Sequence, residues 1–153
     1  MQEGSLDRAP IWDDIRTLNT GDSEIHGHID IIFGGFPCQD ISVAGLQKGI
    51  QQGTRSGLLY EVERIVQHNT PKYLLMENVK NLVSHDGGVT WVTIQQKLNN
   101  LGYEIRWKII DAKFWVPQHR ERIYIVAFRR KSFTKKEIAS FNFPKLVLNF
   151  LRL

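Results

Sequence analysis

The chain has 153 residues, 42% hydrophobic and 24% charged, with one cysteine. That composition fits one folded domain with a sizeable core and excludes a disordered chain. A single cysteine excludes an internal disulfide framework, and with no CxxC it also excludes a thiolate zinc cage. The net charge of +4 is unevenly spread: residues 1–105 carry 8 Lys or Arg against 13 Asp or Glu, whereas residues 106–136 carry 10 against only Asp111 and Glu121. Such asymmetry points either to a polyanion-facing region or to a solvated basic surface.

Residues 1–5 show neither the basic region nor the apolar run of a signal peptide. No stretch reaches the roughly 20 apolar residues that cross a bilayer. The expectation is a soluble protein of a reducing cytoplasm, with no membrane partner.

Taken in chain order, residues 29–33 (Ile-Asp-Ile-Ile-Phe) predict a short buried strand, bounded by Gly34-Gly35. The turn that follows holds the lone cysteine in Gly35-Phe36-Pro37-Cys38-Gln39. Residues 40–57 have no firm period and contain Gly45, Gly49, Gly53 and Gly57; a connection of that length reads as a lid over Cys38. Leu58, Val62 and Ile65, widened by Leu59 and Val66, predict a helix. Tyr73-Leu74-Leu75-Met76 predicts a second buried strand after Pro71. A second helix is expected from about Val89, with Trp91, Ile94, Leu98 and Leu101 on one face and Gly102 as its stop. Tyr103, Ile105, Trp107 and Ile109 then alternate with polar residues as in a half-buried strand, and residues 122–128 form another β-rich run. The sum is an α/β plan with a parallel sheet and an antiparallel edge. The apolar residues 141–153 stop abruptly, and read as a cut end.

In an open parallel sheet, ligands bind beyond the carboxyl ends of the strands. The first strand runs into Cys38 and the second into Glu77-Asn78-Val79. If the two are neighbours, a thiol and a carboxyl face one crevice. Desolvation there would fit the carboxyl to deliver a proton near neutral pH, and a cationic neighbour would favour the thiolate. Arg120 and Arg122, in Gln118-His119-Arg120-Glu121-Arg122, are the cationic candidates, two residues apart on one strand face. Each element also has a plain structural reading: a packed cysteine, a helix-capping or surface acid, an exposed basic strand.

Together, Gly35-Phe36-Pro37-Cys38-Gln39 with Ser42, Glu77-Asn78-Val79, and Gln118-His119-Arg120-Glu121-Arg122 resemble three signature motifs of the DNA cytosine-5 methyltransferases. Gly45-Leu46-Gln47-Lys48-Gly49 and residues 81–86 are also similar to that family, and Ile11-Trp12-Asp13-Asp14-Ile15 resembles its acidic motif for the cofactor's adenosine. The resemblance implies a partial S-adenosylmethionine-dependent methyltransferase fold, Rossmann-like, with a mostly parallel sheet and an antiparallel edge hairpin. It implies a partial catalytic domain in residues 1–131 and a shortened C-terminal segment in residues 132–153. Cys38 would attack cytosine, Glu77 would protonate it, and Arg122, supported by Arg120, would hold its carbonyl oxygen. S-adenosylmethionine would donate the methyl group, touching Asp14, Ile15 and Pro37, while Gln39 and Ser42 would approach double-stranded DNA.

Against the family pattern, Ile41 replaces an aromatic residue. The glycine-rich first motif, the ribose-binding acid and the target-recognition region have no counterpart in the chain. The expectation is therefore the central portion of a family member, of bacterial or phage type, with an incomplete cofactor site and an unpaired sheet edge. A complementary methyltransferase polypeptide is a candidate partner. A non-catalytic nucleic-acid-binding module, a tRNA-modifying relative and, more remotely, a cysteine hydrolase using one of five histidines stay open on sequence alone.

Overall fold

The computed structural model describes residues 13–18, 29–36 and 58–145. Among them, four strands form one sheet: β1 (Ile31–Gly35), β2 (Tyr73–Val79), β3 (Tyr103–Asp111) and β4 (Glu121–Arg129), in the order β1-β2-β4-β3. β1 and β2 are parallel, and β4 is antiparallel to both of its neighbours. Three strands therefore run one way, and β4 alone opposes them. Helix α1 (Leu58–Asn69) precedes β2, α2 (Val89–Asn100) precedes β3, and α3 (Lys135–Ser140) follows β4.

The helices form where the apolar spacing puts them. Trp91, Ile94 and Leu98 are buried on one face of α2, and the chain leaves that helix through Gly102 at φ 86°, a backbone state that favours glycine. The core lies between α1 and α2 and one sheet face, where Val66, Leu74, Met76, Ile123, Ile125 and Ala127 are buried. Lys97 ties the two helices together, its Nζ 2.6 Å from Glu63 Oε2 and 4.2 Å from the Tyr60 ring centre. The buried Tyr103 hydroxyl donates to Pro71 O at 2.7 Å.

At the amino end of β2, Tyr73, Phe128, Phe133 and Phe141 pack ring on ring at 4.9–5.8 Å between centroids. Phe133 and Phe141 flank α3, which the sequence pattern did not announce. Thr134 caps that helix, with Glu137 returning the hydrogen bond to its amide.

One expectation needs correction. The first strand was expected to be buried, but Ile31 is 45% and Phe33 75% exposed. Among the described residues, β2 is its one strand neighbour and the helices cover only the opposite face, through Ile32. In β3 the alternation faces α2 as expected, with Trp91 and Trp107 edge to face at 5.4 Å. Its burial nevertheless declines from Tyr103 at 1% to Ile109 at 37% exposed, because the far half of this edge strand runs beyond the helix. The glycine-rich segment 40–57 lies outside the described residues.

Ile125 sits on the central strand β4 with no exposed surface. Ile125→Ala should lower the unfolding free energy by about 2–5 kcal/mol, through lost burial and a residual cavity. Tyr103→Phe, which strands the Pro71 carbonyl, should cost about 1–3 kcal/mol, while Ile31→Ala should cost far less. Urea unfolding followed by circular dichroism measures all three.

Candidate active site

The parallel register pairs Gly35, the last residue of β1, with Glu77 of β2. A Cβ on Gly35 would lie 3.4 Å from both the carbonyl oxygen and Oε2 of Glu77, so the missing side chain leaves the carboxylate its room. Beside it, the buried Asn78 donates from Nδ2 to Phe36 O at 2.6 Å, and its Oδ1 accepts from the Val79 amide at 2.9 Å. The two strand ends are thus tied together by a buried amide, two residues short of Cys38. Pro37, Cys38, Gln39 and Ser42 lie outside the described residues.

The β2–β4 register sets Arg122 opposite Val79 and Tyr124 opposite Glu77. Residues that alternate along a strand share a face, so Arg122 is diagonal to Glu77. Its Nε donates to Glu77 Oε1 at 2.8 Å, and its Nη1 donates to Glu121 O at 2.9 Å. The pair is only partly enclosed, with the Arg122 side chain 22% and the Glu77 side chain 40% exposed. The environment of Glu77 is a partly open sheet end with a guanidinium across from it.

Arg120 requires a second correction. Arg120 and Arg122 were expected to project from one strand face, but Arg120 precedes β4 and is exposed. Its backbone is bound instead: Arg120 N donates to Asp111 Oδ1 at 3.0 Å, and Arg120 O accepts from the Ala112 amide at 3.0 Å. An open cleft of about 370 Å³ runs along this edge, lined by Val79, Lys80, Asn81, Gln118, Arg120 and Arg122 among others.

Asp111 was not singled out from the sequence. Buried at the end of β3, its carboxylate accepts from the amides of Lys113 (3.1 Å) and Arg120 (3.0 Å) and from His119 Nδ1 (2.6 Å). It closes the β3–β4 connection at both arms and fixes where the Gln118–Arg122 motif begins. The legible signal was its Asx-turn pattern, an aspartate at a strand end bonding two residues onward. Burial pushes this carboxyl up, but the hydrogen bonds from Lys113, Arg120 and His119 outweigh it and hold the pKa at about 2. The native state thus favours the ionised form. That contribution is complete above the ordinary value of 3.8 and is lost as pH falls through about 2. Asp111→Asn should therefore destabilise the protein at neutral pH and flatten the fall in stability between about pH 4 and pH 2, read by denaturant titrations across that window.

Asp14 caps a short 3-10 turn, Ile15–Thr17, and takes the Arg16 guanidinium and amide. The Arg16 side chain and then its amide hold the Asp14 pKa at about 2. The Ile15 carbonyl accepts from Arg64 of α1 at 3.1 Å. Asp14 is thus paired with Arg16, and the Ile15 carbonyl with Arg64. Among the described residues, no group of three or more His, Cys, Asp or Glu is arranged for a metal, and no helix is long and apolar enough to cross a membrane.

The basic segment does not form one surface. Lys113, Arg120 and Arg122 lie at the Glu77 end of the sheet. Arg129, Arg130 and Lys131 lie at the other end of β4, where Arg129 Nη1 donates to Thr70 O at 2.9 Å and Arg130 Nη2 donates to Asn99 Oδ1 at 2.6 Å.

The profile of the C-5 cytosine-specific DNA methylase family matches residues 7–149. The Type II methyltransferase M.Bsp6I of Bacillus sp. (strain RFL6) is 40% identical over 136 residues, 88% of this chain and 41% of that protein. The Type II methyltransferase M1.ScrFI of Lactococcus lactis subsp. cremoris is 47% identical over 120 residues, 78% of this chain and 30% of that protein. The chain thus spans about two fifths or less of the length of these relatives. Among solved structures, a prophage-encoded Escherichia coli protein described as a DNA modification methyltransferase shares the fold at a TM-score of 0.59 and 21% identity, covering 88% of this chain and 38% of that one. The Dnmt2 methyltransferase of S. pombe aligns at a TM-score of 0.51 and 22% identity, covering 74% of this chain and 33% of that one. The mixed sheet with its single opposed strand is that methyltransferase fold in part, and the chain belongs to the C-5 cytosine-specific DNA methylase family.

Proposed function

We propose that this chain is the catalytic portion of an enzyme that methylates carbon 5 of cytosine in double-stranded DNA through a covalent adduct on Cys38. The observation that supports it most is the Glu77–Arg122 contact at 2.8 Å, beside the end of β1 at Gly35, three residues before Cys38. The methyl group comes from S-adenosylmethionine, the donor that family membership implies.

An aromatic cytosine is a poor carbon nucleophile. Attack by the Cys38 thiolate at ring carbon 6 forms a carbon–sulfur bond and moves the electrons of the 5,6 double bond into the ring. Glu77, protonated for this step, gives its proton to ring nitrogen 3, so no negative charge accumulates and carbon 5 becomes nucleophilic. Arg122, which contacts the Glu77 carboxyl, would also hold the base's carbonyl oxygen, with Arg120 in support. Once carbon 5 carries its methyl group, water takes the carbon-5 proton, the N3 proton returns to Glu77, the 5,6 double bond re-forms and the Cys38 thiolate leaves. The target atom is inaccessible within a duplex, so the cytosine must leave the stack. Residues 39–57 would then close over it, Gln39 and Ser42 facing the DNA.

A duplex containing 5-fluorocytosine, whose fluorine cannot leave as a proton does, should trap the adduct in the presence of S-adenosylmethionine. The covalent complex should form with the chain alone or with a complementary methyltransferase polypeptide added, and Cys38→Ser should abolish it. Glu77→Gln should slow capture by about 10²–10⁴-fold, the usual contribution of a positioned general acid. No adduct in either setting would sink the proposal.

A further inference from the structure

The nine residues 112–120 that join β3 to β4 overhang the sheet end that carries Glu77. Although irregular, this connection is firmly built. The Asp111 carboxylate holds both arms, and the Trp115 and Val116 amides both donate to Ala112 O, at 2.9 and 3.0 Å. Gln118 N donates to Val116 O at 2.7 Å. The tip so fixed presents apolar surface to water, with Trp115 58% and Val116 47% exposed. Phe114 meets Trp115 edge to face at 6.2 Å, and Lys113 Nζ lies 5.7 Å from the Phe114 ring centre.

A single exposed apolar residue is ordinary on a protein surface. Here an indole is held outward on a hydrogen-bonded tip, beside the cleft that leads to Arg122. Its exposed charged neighbours are the cations Lys113, whose Nζ lies 3.4 Å from the buried Asp111 carboxylate, and Arg120, while Glu121 is paired with Lys80. A ring flanked by cations suits a nucleic acid, whose bases accept stacking and whose phosphates accept the charges. An apolar protein partner would leave Arg120 uncompensated.

We propose that the 112–120 loop is a DNA-contacting element in which Trp115 packs against bases uncovered when the target cytosine leaves the stack, with Lys113 meeting a flanking phosphate. The proposal rests on the DNA reading given above and adds a contact surface to it.

Anisotropy of a fluorescein-labelled, mixed-sequence duplex, titrated with the full chain at fixed salt, tests it. Trp115→Ala should weaken binding about ten-fold, a typical stacking contribution expressed as affinity, and Trp115→Phe should restore most of the loss. The effect should grow on a duplex with a mispaired cytosine, which is easier to extrude. Val92→Ala, at an exposed apolar residue of α2, should change nothing. Equal binding by Trp115→Ala and wild type, or no duplex binding by the wild type, overturns the proposal. So does an altered sedimentation coefficient in Trp115→Ala at unchanged DNA affinity, which would make the tip a contact between copies. Capture of 5-fluorocytosine through Cys38 reads the catalytic proposal separately. A Trp115 effect without capture removes the chemistry and keeps the surface, whereas capture without a Trp115 effect does the reverse.

Discussion

The antiparallel register between β2 and β4 is the constraint on which the site depends. It sets Arg122 opposite Val79, one step beyond Glu77 on the same face, within hydrogen-bonding reach. A shift of one residue would send Arg122 to the helix-covered face and bring Ile123 out. The register is held by what lies beneath it: Leu74 faces Ala127, Met76 faces Ile125 and Asn78 faces Ile123, all buried. The core under one face of the sheet thus fixes the chemical pair on the other.

That arrangement separates the two ends of the sheet. One end gathers Glu77, Arg122, Gly35, the Asn78–Phe36 tie and the Asp111 clasp. The other is closed by Tyr73, Phe128, Phe133 and Phe141. On β2, four residue steps of about 3.4 Å separate Glu77 from Tyr73, which keeps the two groups roughly 14 Å apart. The basic run after residue 106 therefore serves two places, and only its first half can face a substrate bound at Glu77.

The elements most legible in the sequence were those whose burial is periodic. Trp91, Ile94 and Leu98 gave α2 from spacing alone, and the run from Ile123 to Ala127 gave β4. What spacing could not give was lateral order. Nothing local in residues 121–129 says that β4 inserts between β2 and β3, because partner choice is set by side-chain fit across the sheet. Exposure was misread for the same reason. Ile31 and Phe33 look buried by composition, yet a strand's cover depends on elements far away in the chain. Of the site, Glu77, Arg120 and Arg122 were found by motif. Asp111 was not, since its importance lies in three hydrogen bonds that exist only once the β3–β4 connection closes.

The order of the strands has a consequence for how the molecule assembles. The β3–β4 hairpin joins segments that are near in sequence, so it can close early at small entropic cost. β2 must then arrive from some forty residues upstream and bring Glu77 to a hairpin on which Arg122 is already set. The Glu77–Arg122 contact spans 45 residues of chain and exists only once β2 has paired with β4. The chemical pair is therefore complete only when the sheet is.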